Sequence, residues 1–293
     1  GVSSLFLPML WYVAAWKQGG DAFLDVVLAE NFGRFFHLST PNIHYNLGHE
    51  NGVWYNFMTL ATGFIPWTIF FFFSLFGLKI QKSQKTMKES IKAVWNHIQN
   101  MEKEKLFSLV ALVCILFFYS IPSSKRSVYL MPAYPFIAIF LAQYALYITE
   151  YRTRVTRIFA GFLATVTTVV LGIIGLTMAG VINPIQLASQ YTNRQSTLET
   201  VEYVTNMFTH PSGLTICILL IVLVILISVF YQMSKKINIK ILYSTIALTF
   251  VINLLIDGVV MKGIRTGSSS RSFAEQVQNT YPLDQTNMYV MND

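Results

Sequence analysis

Apolar and polar positions alternate along this chain in long blocks, not in the short periods of a soluble domain. Apolar runs near ~20 residues recur, the length a helix needs to cross the hydrocarbon layer. Seven spans are predicted, at about 2–16, 57–76, 106–122, 128–148, 158–182, 212–232 and 241–261. Pro8 is expected to kink the first, and Trp11, Tyr12 and Trp16 form an interfacial aromatic belt there. Pro66-Trp67 falls inside the second. Between the second and third, Ile91, Val94, Trp95 and Ile98 recur at helical spacing among lysines, the pattern of an amphipathic helix lying on a membrane. The fold class is therefore an all-α polytopic membrane protein. Residues 1–261 form the membrane domain and 262–293 begin an extracytoplasmic α/β domain. In that tail, Ser270 to Gln278 reads as a helix and Asn287 to Val290 as a strand, after a linker holding Gly263 and Gly267.

Composition agrees. Of 293 residues, 54% are hydrophobic and 12% charged, against about a quarter charged in a soluble domain. The net charge of +7 comes from loops between spans, so topology and not nucleic acid accounts for it. Cys114 and Cys217 each fall inside a span and read as small apolar filler. The chain opens at Gly1 within an apolar run and stops at Asp293 after a strand-like Met-Tyr-Val-Met, the look of a piece cut at both ends.

Cations orient the spans. Lysines from Lys79 to Lys105 follow the second span, Arg152, Arg154 and Arg157 the fourth, and Lys235, Lys236 and Lys240 the sixth. The positive-inside rule places these loops in the cytoplasm. The 17–56 loop, the Lys125-Arg126 turn and the polar loop 183–211 then lie outside. Two adjacent cations in a very short outer loop run against that bias. Lys125, Arg126 and the hydroxyl of Tyr129 suit a lipid phosphate at the water boundary. Snorkelling to headgroups is the plainer alternative. In the 17–56 loop, His37, His44, His49 and Glu50 are of the types that ligate zinc or manganese, but their spacing matches no fixed metal motif, and solvated histidines are commoner. Glu30 and Arg34, at i,i+4, could simply pair. Asp257 is the one acid well within an apolar run. The sequence shows neither internal repeats nor the paired broken helices that transporters use.

Several motifs follow one another in a recognisable order. They are Leu7-Pro-Met-Leu-Trp-Tyr-Val13, Gly20-Asp-Ala-Phe-Leu24, Glu30-Asn-Phe-Gly-Arg-Phe-Phe36, Trp54-Tyr-Asn56, Gly63-Phe-Ile-Pro-Trp67 and Ser124-Lys-Arg-Ser-Val-Tyr-Leu-Met-Pro-Ala-Tyr-Pro135. In this order the chain resembles the C-terminal part of bacterial GT-C glycosyltransferases of the aminoarabinose transferase and protein O-mannosyltransferase-like group. The resemblance implies a polyprenyl-phosphate-linked sugar as donor and transfer to lipid A, a protein or a glycan on the outer face of the inner membrane. It implies donor-phosphate contacts from Arg34, Lys125, Arg126 and Tyr129. It implies a catalytic aspartate in an N-terminal half that this piece lacks, so the piece alone is expected to be inactive. Asp21 and Asp25 do not correspond to it. A lipid-linked sugar flippase is the alternative, and a membrane scaffold without chemistry a third.

Overall fold

The computed structural model describes residues 3–28, 51–52, 54–76, 86–122, 125–269, 274–275 and 278. Among these residues the secondary structure is helical, with no strand. The helix and strand expected at 270–278 and 287–290 lie almost wholly outside the described residues. The chain divides into two compact units, 1–146 and 147–293.

The first unit opens with α1, Ser3–Leu28, which contains Pro8 and breaks at Gly20, where φ is 63° and ψ −158°. A left-handed φ of that kind suits a residue without Cβ. Trp16 Nε1 donates to Asp21 Oδ1 at 3.3 Å across the break, so Asp21 helps hold the bend. Two nine-residue helices follow, α2 (Tyr55–Gly63) and α3 (Trp67–Leu75). They meet at 99° around a cis Ile65-Pro66 bond. The straight span expected at 57–76 is thus a broken one. Each half rises only about 13 Å, far short of a bilayer. The bend closes on Tyr134. Its ring meets Phe64 edge-on at 5.0 Å, and its hydroxyl fills the space a Cβ on Gly63 would need.

Next come α4 (Met87–Gln99), opened by a Thr86–Glu89 capping box, and α5 (Lys103–Ser120). A 3-10 turn, Ser127–Ala133, leads into α6, Tyr134–Tyr151.

The second unit is a bundle of α7 (Thr153–Met178), α10 (Gly213–Lys235) and α11 (Asn238–Leu255). The short α8 (Pro184–Ser189) and α9 (Gln195–Thr209) lie between α7 and α10. A π-turn, Ile256–Val260, joins α11 to α12, Met261–Gly267. Ala160 and Ala164 on α7, Val222 and Val229 on α10, and Ile241 and Leu248 on α11 are buried in one core. Small residues one turn apart let membrane helices approach closely. Thr167, Thr245 and Thr249 each donate to the carbonyl four residues back. Their buried hydroxyls are thereby satisfied.

Four helical segments are long and apolar enough to cross a membrane: Ser127–Tyr151, Thr153–Met178, Gly213–Lys235 and Asn238–Gly267. The bent α2–α3 pair raises the number to five if it counts as one span. Two expectations need correction. The polar loop at 183–211 contains α8 and α9. The supposed linker is helical through Gly267. Its two glycines are packing positions. A Cβ on Gly263 would lie 2.9 Å from Val204 Cα, and one on Gly267 2.6 Å from Thr200 Cα. The Gly-xxx-Gly face of α12 therefore seats the backbone of α9 directly, as close helix pairs in membranes do.

The second unit also has distinct ends. Arg157 donates from Nε and a terminal nitrogen to Asn238 Oδ1, at 3.0 and 2.9 Å. This brings the start of α7, with Arg152 and Arg154, beside the Lys235, Lys236 and Lys240 corner. The α9–α12 pair is at the other end of the α11–α12 helix.

Candidate functional site

The densest polar cluster in the first unit is the junction of residues 51–56, the end of α5 and the 3-10 turn. A very short connection between two apolar helices forces Lys125 and Arg126 to opposite tasks. Lys125 is only 5% exposed. Its Nζ donates to Asn51 O at 3.1 Å and to Pro122 O in a short contact. Asn51 Nδ2 returns a bond to Lys125 O at 3.0 Å. An ammonium has three N–H donors, so this one keeps a single donor beyond these bonds. Pro122 lies just past the end of α5, where unsatisfied carbonyls and the negative pole of the helix favour a cation.

Arg126 takes the reverse position. It is exposed and stands as the extended residue immediately before the 3-10 turn. Its carbonyl accepts from Tyr129 N at 3.1 Å. The Tyr129 ring stacks on Tyr119, with centroids 5.7 Å apart and an 18° interplanar angle. Tyr119 in turn offers its carbonyl to Asn56 Nδ2 at 3.0 Å, and Ser120 Oγ accepts from the same nitrogen at 3.2 Å. Asn56 is buried. The two asparagines thus tie the entry to α2 onto the exit of α5. Neither was singled out as a site residue from sequence, though Asn56 closes the Trp54-Tyr-Asn motif.

Lys125, Arg126 and Tyr129 therefore come together, with only Arg126 fully displayed. Arg34, His37, His44, His49 and Glu50 lie outside the described residues. Among the described residues no group of three or more His, Cys, Asp or Glu could hold a metal. Trp54, which opens the Trp54-Tyr-Asn56 motif, is 74% exposed. Asp257 lies in the π-turn and is exposed. Cys114 and Cys217 are free thiols, exposed on helices that the sequence reads as spans.

The second unit holds an apolar cavity of about 380 Å³ between the end of α7, α9 and α12, lined by Ile173, Val204, Phe208 and Ile264 among others. Its polar lining is threonine, with no ionisable side chain.

No family model and no solved structure matches this chain. An uncharacterized protein of Aquifex aeolicus (strain VF5) is 26% identical over 134 residues. That match covers 46% of this chain and 21% of the Aquifex protein, so the chain spans about a fifth of that relative.

Proposed function

We propose that this chain is part of a membrane glycosyltransferase that takes its sugar from a polyprenyl phosphate. The observation that carries the reading is the junction itself. Arg126 is exposed, its carbonyl bonded to Tyr129 N, on a turn whose base is held by the buried Lys125. When a sugar leaves a polyprenyl phosphate, negative charge grows on the leaving oxygen. A guanidinium already positioned there stabilises that charge and makes paired contacts with phosphate oxygens. The Tyr129 hydroxyl is near enough in sequence to join it, while the buried Lys125 fixes the turn beneath. Arg34 would complete the set, and the catalytic carboxylate would come from residues outside this chain.

Topology supports the same reading. Arg126 and Arg152 flank opposite ends of the Ser127–Tyr151 span. The Arg152 end belongs with the cation-rich corner of the second unit, the end the positive-inside rule assigns to the cytoplasm. Arg126 then faces the outer side of a bacterial inner membrane, where transfer to lipid A, a protein or a glycan would occur. A seven-span arrangement, with α1, α2–α3 and α5 as spans, accommodates this alternation.

One observation favours the flippase alternative. Transporters often place their sites at broken helices, and α2–α3 is broken. Yet the bend is plugged by Tyr134 and Phe64, and no ionisable side chain lines the apolar hollow beside it. The test uses the full-length protein in proteoliposomes with defined polyprenyl-phosphate sugars, scoring transfer and transbilayer movement separately. Arg126→Ala is expected to lower transfer about 10- to 100-fold with donor limiting. Lysine at this position should recover part of it, since the paired guanidinium contact is lost. Wild-type transfer by Arg126→Ala, or sugar movement without transfer, would overturn the reading.

A further inference from the structure

The amphipathic helix α4 is no part of the proposed sugar-transfer site, and its side chains are sorted in an unusual way. Taking about 100° per residue, Met87, Ile91, Val94, Trp95 and Ile98 fall within an arc of about 100°. The first four are between 59% and 80% exposed, and Ile98 is half-buried. This apolar stripe is therefore bare. Lys88 and Lys92 sit about 70° and 110° from its midline, on the rim that also carries Trp95. Glu89 is about 170° away, on the opposite face. There its carboxylate accepts from Thr86 N at 2.9 Å as part of the N-terminal cap. So the acid points away from whatever covers the stripe, and the two lysines lie beside it. The helix also stands in the chain between apolar segments. The bent α2–α3 pair precedes it, and α5 starts four residues after it ends. The short link to α5 thus tethers its C-terminal end.

From this sorting we infer that α4 is a lipid-surface helix whose occupant is an anionic phospholipid bilayer. The stripe enters the boundary between headgroups and acyl chains. Trp95 sits at headgroup depth, and Lys88 and Lys92 reach lipid phosphates from the rim. The stem of each lysine covers the edge of the apolar stripe while its ammonium stays in the headgroup layer. A zwitterionic surface offers the same hydrocarbon but not the net negative field, so anionic lipid strengthens docking. The inference is independent of the sugar-transfer reading, because it concerns neither Arg126 nor the outer junction.

The test uses the whole protein with Cys114→Ser and Cys217→Ser, reconstituted in nanodiscs. Single cysteines are introduced as Ile91→Cys, on the stripe, or Asn96→Cys, on the far face, and labelled with bimane. The discs hold phosphatidylcholine alone or with about 30% phosphatidylglycerol, enough to give a negative surface field. Part of the lipid carries brominated chains. Bromine is expected to quench the probe at 91 strongly and that at 96 weakly, more so with phosphatidylglycerol, and salt should weaken the difference. Lys88→Glu with Lys92→Glu should lower the docked-to-undocked ratio by at least about 30-fold in anionic discs. Equal quenching at 91 and 96 overturns the inference. Quenching at 91 that ignores lipid charge and both lysine changes overturns its anionic part. A probe at 91 shielded from water yet untouched by bromine means a protein surface covers the stripe, which overturns it too.

Discussion

Replacing Lys125 with methionine separates two roles that adjacent cations could share. Met keeps a stem of similar volume and removes the ammonium. Two backbone carbonyls, Asn51 O and Pro122 O, then lose their donor in a site where the side chain is 5% exposed. Hydrogen bonds to a charged donor are worth about 1.5–3 kcal/mol each, giving roughly 3–6 kcal/mol gross. The ammonium's own desolvation cost disappears with it, and that offsets part of the loss. A net destabilisation of about 2–4 kcal/mol is expected. Lys125→Arg should not rescue it, because the planar fork is bulkier and cannot reproduce a compact ammonium between two carbonyls. The assay is reversible unfolding of the full-length protein in mixed micelles, titrating a denaturing detergent, with donor binding measured in parallel. Lys125→Met should lose stability whether donor is present or absent. Arg126→Ala should keep stability and lose donor affinity. The reasoning fails if Lys125→Met unfolds at the parent midpoint, or if Arg126→Ala is the variant that unfolds.

Gly267→Ala would place a Cβ 2.6 Å from Thr200 Cα, a backbone atom that cannot swing aside. It should cost about 1–3 kcal/mol, whereas Gly172→Ala meets open space and should be neutral or mildly stabilising; equal midpoints in the same unfolding assay would refute the close α9–α12 contact. Asn238→Leu removes the acceptor shared by two Arg157 nitrogens and should destabilise by about 1–3 kcal/mol, with Arg157→Leu in the same molecule costing little more. Cysteines introduced as Ser196→Cys should react with an impermeant thiol reagent added to intact cells, and those introduced as Lys236→Cys should not; the opposite pattern would invert the orientation.

The four long spans were legible because lipid leaves little choice. A run of apolar residues in hydrocarbon must close its own backbone bonds, so it is a helix. The expected spans at 128–148, 158–182, 212–232 and 241–261 fall within a few residues of the helices for most of their length. Most of their ends differ for one reason, whereas the end of α7 falls short, at Met178 and not 182. Hydropathy marks the immersed part, and helices continue past it. Thus α7 begins at Thr153 and takes Arg154 and Arg157 into its first turns. The last helix likewise runs on to Gly267. The break at Ile65-Pro66 was hidden, since proline is common in membrane helices and does not by itself say kink or fold-back. In α9, Leu198, Val201, Val204 and Phe208 recur at helical spacing, a signal masked by polar neighbours. The inward turn of Lys125 has no sequence signature: a lysine in a short loop reads the same whether its stem folds under the turn or out of it.

That inward turn bears on how Arg126 would work. An exposed arginine on a slack loop would lose backbone and side-chain freedom on binding a phosphate, and that loss weakens binding. Here the backbone before Arg126 is held by the Asn51–Lys125 pair. The backbone after it is held by the bond from Tyr129 N and by the Tyr119–Tyr129 stack. Asn56 locks Tyr119 and Ser120 at the end of α5, so the stack rests on a fixed base. Only the Arg126 side chain remains to be ordered. The same two-residue basic turn therefore divides its charges by function. The buried ammonium sets the position of the exposed guanidinium, and loosening the first should weaken the second without touching it. Asn51→Ala tests this step, because it removes the bond to Lys125 O and leaves both cations in place. Donor affinity should fall several-fold while Arg126→Ala in the same background adds less than it does alone. Full additivity of the two changes would show that the clamp and the guanidinium act independently.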